Sequence, residues 1–244
     1  INTIYHIGEL HMTLRDEFEK IGDWLFRWRS YLPLIMLGIM LITIRDFAYI
    51  GNSPHLDMLW GVLCLMVSFF GFGIRIYTIG HVPEGTSGRN THAQKANALN
   101  TTGIYSVVRH PLYLGNFFIY LGISLCVHFW WLILIYILVF WVYYERIMFA
   151  EEAFLREKFG ESFEKWAVET PAFLPDFKKW VSPHLPFSFK SVLKREYNGF
   201  LGIIAIFTVF LTSFHCIFIS WSLLFHCDSE SFLRTFAAFS LFTF

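Results

Sequence analysis

Paired cysteines are missing from this chain. Its four thiols, Cys64, Cys126, Cys216 and Cys227, lie in or beside apolar runs, and no C-x-x-C occurs among them. Neither a thiolate zinc site nor a disulfide framework is indicated, and the thiols read as buried and free. Charge is also scarce: 16% of residues are charged, against about 25% in soluble domains. Net charge is zero, so nothing draws the chain as a whole toward nucleic acid. A cleavable signal peptide is not visible. The first 30 residues carry Asp16, Glu17, Glu19 and Asp23 and lack a short apolar core with a small-residue cleavage site. The chain opens on Ile1, and Met12 is one candidate start. There is no internal repeat and no low-complexity tract.

Hydrophobic residues are abundant, at 55% with 29 phenylalanines, and they come in blocks. Blocks of this length with few charges read as membrane spans. The expected class is all-α: a multi-span membrane protein of about five spans. The spans are read at 31–49, 59–79, 112–127, 130–144 and 200–224. An apolar segment at 232–244 is too short to cross alone and is either interfacial or a truncated sixth span. His128 and Phe129 mark a tight turn, making the third and fourth spans a hairpin. Residues 16–28 are expected to form an amphipathic helix on the membrane surface, with Phe18, Ile21, Trp24, Leu25 and Trp28 on one side. The chain divides into 1–80, with the first two spans, a central region with the helical hairpin at 81–197, and a C-terminal membrane segment at 198–244.

Basic residues orient the spans. The N-terminal segment holds Arg15, Lys20, Arg27 and Arg29, the 81–111 loop holds Arg89, Lys95 and Arg109, and 145–197 holds nine more. The 50–58 loop and the His128 turn hold none. All basic segments then fall on one face, the cytoplasmic one. The expected location is a bacterial inner membrane, or the endoplasmic reticulum for a eukaryotic chain.

Two polar segments flank the hairpin and meet at that face. One reads Asn-Thr-Thr-Gly-Ile-Tyr-Ser-Val-Val-Arg-His-Pro-Leu-Tyr-Leu-Gly from Asn100 to Gly115. Pro111 suits a first helical turn, which puts His110 at a helix N-terminus, where backbone N–H groups favour an anion. Gly115 permits close approach of a backbone or ligand. The other begins with Glu151 and Glu152, just past a span, and ends in Thr170-Pro-Ala-Phe-Leu-Pro175. Two such carboxylates are costly at a membrane boundary unless they meet water or a cation. Polar groups gathered there suggest a functional site.

Arg-His-Pro-x-Tyr-x-Gly, then a hairpin, then Glu-Glu-x-x-Leu-x-x-x-Phe-Gly-x-x-Phe-x-x-Trp and Thr-Pro-x-Phe-x-Pro, resembles the isoprenylcysteine carboxyl methyltransferase family, itself similar to the phospholipid N-methyltransferases. The resemblance covers about 75 residues and implies a membrane enzyme using S-adenosylmethionine, with a lipid substrate entering from the bilayer. It implies that Gly103, Tyr105, His110, Pro111, Tyr113, Gly115, Glu151 and Glu152 hold the cofactor, and that Glu152, with Arg109 and Arg146, stands at the catalytic junction. Eukaryotic carboxyl methyltransferases have an arginine five residues before that glutamate. Here Ile147 occupies the place and Arg146 is its neighbour, about 100° away on a helix. A methyl donor is therefore better specified than any one acceptor. Methyl transfer from a sulfonium suits such a site, because alignment and desolvation carry most of the work.

Substrate contacts are expected from Arg75, Arg89 and Asn90. The run Gly-Thr-Ser-Gly-Arg-Asn-Thr at 85–91 has the makings of an anion nest for a lipid head group or the cofactor carboxylate, or it is a plain connector. The family's bacterial lipid A phosphate methyltransferases make a lipid phosphate a first guess. No metal and no nucleic-acid partner are expected. Plainer readings stand beside these: Arg109 as a positive-inside anchor, His110 as a helix cap, the glutamates as a solvated helix start, Arg75 as a snorkelling residue. Gly71-Phe-Gly73 reads as helix packing. A nicotinamide-dependent sterol reductase and a non-enzymatic membrane protein are the competing functions.

Overall fold

The computed structural model describes residues 14–28, 31, 38, 50–83, 86 and 96–224, without the side chains of 15, 52, 54 and 211–224. Apart from Tyr31, Gly38 and Thr86, the expected first span at 31–49, the 85–91 loop with Arg89 and Asn90, and the 232–244 segment lie outside these residues. Six α-helices make up most of the described chain: α1 Leu14–Trp28, α2 Pro54–Gly80, α3 Pro111–Leu125, α4 Trp130–Phe159, α5 Glu161–Glu169 and α6 Phe189–Leu224. No strand occurs among the described residues beyond one isolated bridge between Gly103 and Val181.

The helices α2 and α4 are long and apolar enough to cross a membrane. Only about a third of their most apolar stretches is buried. Leu59, Val62, Met66 and Phe70 on α2, and Leu134, Leu138, Trp141 and Val142 on α4, point outward. Apolar surface on that scale is unfavourable in water and natural against lipid. With 15 residues, α3 reaches only about 22 Å, shorter than a full hydrocarbon core. The fifth expected span forms the latter part of α6, which begins at Phe189.

Small residues bring α2 and α3 together. A Cβ on Gly71 would run into the Gly115 carbonyl, and one on Gly122 into Ser68. Close backbone approach of this kind is how helices associate where lipid removes the hydrophobic drive. The Ser68 hydroxyl donates to the Ile119 carbonyl at 2.8 Å, so a buried polar group is satisfied across the contact. Gly73 has nothing within 4 Å of a Cβ, so of the two glycines only Gly71 packs. Cys64 and Cys126 are free and buried in the same core. At the far end, His128 takes the turn into α4 with φ 62°, and its imidazole lies 3.4 Å from Asp57.

A stripe at i, i+4 and i+8 on α4, formed by Tyr136, Phe140 and Tyr144, is buried against α3. Beyond Tyr144 the helix continues without a break to Phe159, carrying the acidic pair as an extension of the span. The helix α1 packs on α4: Phe18 meets Phe149 edge-on at 5.9 Å, and the Tyr143 hydroxyl donates to the Leu25 carbonyl at 2.9 Å. The expected single apolar face is thereby divided. Phe18 and Leu25 turn to α4, while Ile21, Trp24 and Trp28 remain exposed. Gly22 makes the close approach possible, since a Cβ there would meet the Arg146 carbonyl.

Candidate active site

His110 is the N-cap of α3, with Pro111 next in the first turn. Its imidazole is 5% exposed and stands between two carboxylates. Nε2 lies 3.0 Å from Glu152 Oε1, and Nδ1 lies 3.5 Å from Glu151 Oε2. A neutral imidazole has one N–H, so two acceptors on opposite nitrogens favour the doubly protonated cation. Burial on its own disfavours that charge. Hydrogen bonds and the field of Glu151 and Glu152 outweigh burial, and the His110 pKa rises above its ordinary value. The neighbouring Arg109 reaches Glu152 as well, at 3.3 Å. Its Nε is buried and has no hydrogen-bond partner among the described residues. An idle buried donor is costly, and this one is at the edge of the charged group.

The backbone holds this group from behind. Arg109 and His110 donate their N–H groups to the Pro171 and Ala172 carbonyls at 2.9 and 3.2 Å, and Asp176 donates to Val107 at 2.9 Å. The Thr170–Pro175 run is therefore laced to the Arg-His-Pro segment. Phe173 anchors it, packing edge-on to Phe117 and Trp141. Gly103, at φ 62° and ψ −134°, opens the turn before the motif and donates to Val181 at 2.9 Å. Such a conformation is open to glycine and strained for other residues. Tyr105 accepts the Trp166 indole N–H on its carbonyl at 3.0 Å, which ties α5 to the same turn. Tyr113 lies parallel to His110, with 5.7 Å between ring centroids.

Of the expected residues, the fold brings Arg109, His110, Tyr113, Glu151 and Glu152 into one cluster, with Gly103 and Tyr105 as its scaffold. Pro111 and Gly115 serve α3 differently. Pro111 starts the helix, and Gly115 faces α2, where a Cβ would come within 2.5 Å of Arg75 Cγ. Arg146 is not brought to the cluster. It precedes Glu152 by six residues, about 240° around the helix, and its guanidinium covers the Phe18 ring at 3.3 Å. Ile147 is fully buried in the core. Arg75 is likewise taken, paired to Glu196 on α6. Sequence reasoning missed Glu196, Asn116 and Tyr144. A carboxylate seven residues into a helix that turns apolar was the available signal for Glu196.

A family model for phospholipid methyltransferases matches residues 56–162, which hold both the His-Pro segment and the acidic pair. The chain is 26% identical over 189 residues to the protein-S-isoprenylcysteine O-methyltransferase of Schizosaccharomyces pombe, covering 71% of this chain and 80% of that one. It is 30% identical over 150 residues to the nickel-cobalt-cadmium resistance protein NccN of Alcaligenes xylosoxydans xylosoxydans, covering 60% and 67%. With the cobalt-zinc-cadmium resistance protein CzcN of Cupriavidus metallidurans it shares 33% over 150 residues, covering 61% and 62%. No solved structure matches it. On the matched segment, and on the two ordered motifs inside it, the chain belongs to the family of phospholipid and isoprenylcysteine membrane methyltransferases.

Proposed function

We propose that this protein transfers a methyl group from S-adenosylmethionine to a phosphate or carboxylate oxygen in the polar head of a membrane lipid or lipidated substrate, at the cytoplasmic face. The observation that carries this reading is the cluster of Arg109, His110, Glu151 and Glu152 at the end of the α3–α4 hairpin. Its donor set fits the proposed cofactor. The idle Arg109 Nε is a ready partner for a carboxylate, and the two glutamates complement an ammonium and a sulfonium. The near-parallel rings of the His110 cation and Tyr113 offer a flat wall.

When bound, S-adenosylmethionine supplies a methyl group already activated by its positive sulfur. Glu152 offsets positive charge near the reacting atoms. Arg109 orients an anionic acceptor or the cofactor carboxylate. The ring wall and Phe173 exclude water, which strengthens each of these interactions. The membrane position brings a water-soluble donor and a lipid acceptor to one boundary. Isotope-labelled S-adenosylmethionine, incubated with the protein and total membrane lipid, is expected to label one lipid class, identified by mass. Calorimetry is expected to show saturable binding of S-adenosylhomocysteine. Binding of NADPH in its place would overturn the reading in favour of a reductase.

A further inference from the structure

One carboxylate from α6 is buried inside the bundle. Glu196, 4% exposed, takes Arg75 of α2 in a two-pronged grip, with Nε to Oε2 at 2.9 Å and NH2 to Oε1 at 2.6 Å. The remaining terminal nitrogen of Arg75 donates to Asn116 Oδ1 of α3 at 2.7 Å. Arginine has donors only, so the amide oxygen of Asn116 must face α2. Its NH2 then faces α4 and donates to the Tyr144 hydroxyl at 3.2 Å. The Tyr144 ring lies 5.0 Å from Tyr113, which is stacked on His110. Four helices are thus joined by hydrogen bonds as far as Tyr144, and two ring contacts carry the path on to the imidazole between Glu151 and Glu152.

We propose that Arg75, Asn116, Glu196 and Tyr144 are positioning residues that hold the Tyr113–His110 stack, and through it the His110–Glu152 pair, in register. A buried ion pair is a poor way merely to join helices, because apolar residues of similar volume do as well or better. The hydrogen bonds from Glu196 through Arg75 and Asn116 hold the Tyr144 hydroxyl at a fixed point, and the ring contacts carry that placement on to Tyr113 and His110. The assignment rests on the proposed methyl transfer only for its kinetic readout.

The test uses the full chain in lipid nanodiscs. Arg75→Met combined with Glu196→Leu removes the charges and keeps the bulk. Asn116→Leu breaks the path with the ion pair intact, and Ser68→Ala is a control in the same bundle outside the path. The first readout is the titration midpoint of His110, followed by NMR of carbon-labelled histidine; the groups facing it are Arg109, Glu151, Glu152 and Tyr113. The second is kcat and KM for methyl transfer. We expect the double variant, which leaves the Asn116 oxygen without its donor, and Asn116→Leu, which leaves an Arg75 N–H without its acceptor, to stay folded with a lowered melting temperature, to shift the His110 midpoint downward, and to lose on the order of 10²-fold in kcat, the scale of an ångström-sized misplacement. Ser68→Ala is expected to leave the midpoint and kcat in place. A folded double variant or Asn116→Leu with unchanged midpoint and kcat overturns the assignment. A midpoint shift in an enzyme that methylates no lipid supports the positioning role and sinks the proposed reaction instead.

Discussion

Glu152 and His110 are 42 residues apart and meet at 3.0 Å, the carboxylate of a long helix against the N-cap of a short one. Against the effect of burial, Glu151 and Glu152 together raise the His110 pKa. A histidine whose folded pKa exceeds its unfolded value contributes stability that is full below the unfolded value, about 6.5. That contribution is lost as pH rises through the folded value. Melting curves of wild type and His110→Gln, recorded against pH in detergent, should therefore differ most in mild acid and converge at higher pH. A gap that widened on the alkaline side would contradict the ion pair.

Glu152→Gln keeps the shape of the side chain and removes the charge shared by His110 and Arg109. Label transfer to lipid should fall by about 10²-fold or more, the range for losing one preorganised electrostatic partner in a dry site. Glu151→Gln should cost less, since Glu151 meets His110 at the longer distance of 3.5 Å and is more exposed. Initial rates at saturating donor measure both. Equal losses would place the reacting atoms between the glutamates and not at Glu152.

Arg146 covers Phe18 and faces α1. Arg146→Met should leave kcat/KM within a few-fold of wild type while weakening the seat of α1. The expected loss is about 0.5–2 kcal/mol, the value of a cation over an aromatic face. Limited proteolysis of the 14–28 helix reads the seat directly. A large kcat loss with α1 still protected would return Arg146 to the catalytic group.

Gly115→Ala drives a methyl group to 2.8 Å from the Gly71 carbonyl and 2.5 Å from Arg75 Cγ. Overpacking of this kind costs about 1–3 kcal/mol, seen as a lower melting temperature in detergent. Gly73→Ala, two residues from Gly71 on α2, meets nothing within 4 Å. There alanine should stabilise by about 0.5–1 kcal/mol through helix propensity. Equal effects at the two positions would refute the close α2–α3 contact.

By itself, the sequence determined the properties that depend on neighbours along the chain. Apolar run length marked the helices α2 and α4, the basic loops proposed an orientation, and proline at 111 marked where α3 begins. The order of two motifs carried the family, and residues near in sequence to those motifs form most of the candidate cluster. Tertiary structure decided what depends on the rotation of one helix against another. Hydrophobicity cannot say which apolar side of α1 is taken by α4, so Phe18 and Leu25 parted from Trp24 and Trp28. It does not reveal that Gly115 makes room for Arg75, or that Arg75 finds Glu196 121 residues away. Nor does it turn Arg146 from Glu152 until α4 is seated. These are contacts between phases of separate helices, and a phase is set only when the helices pack.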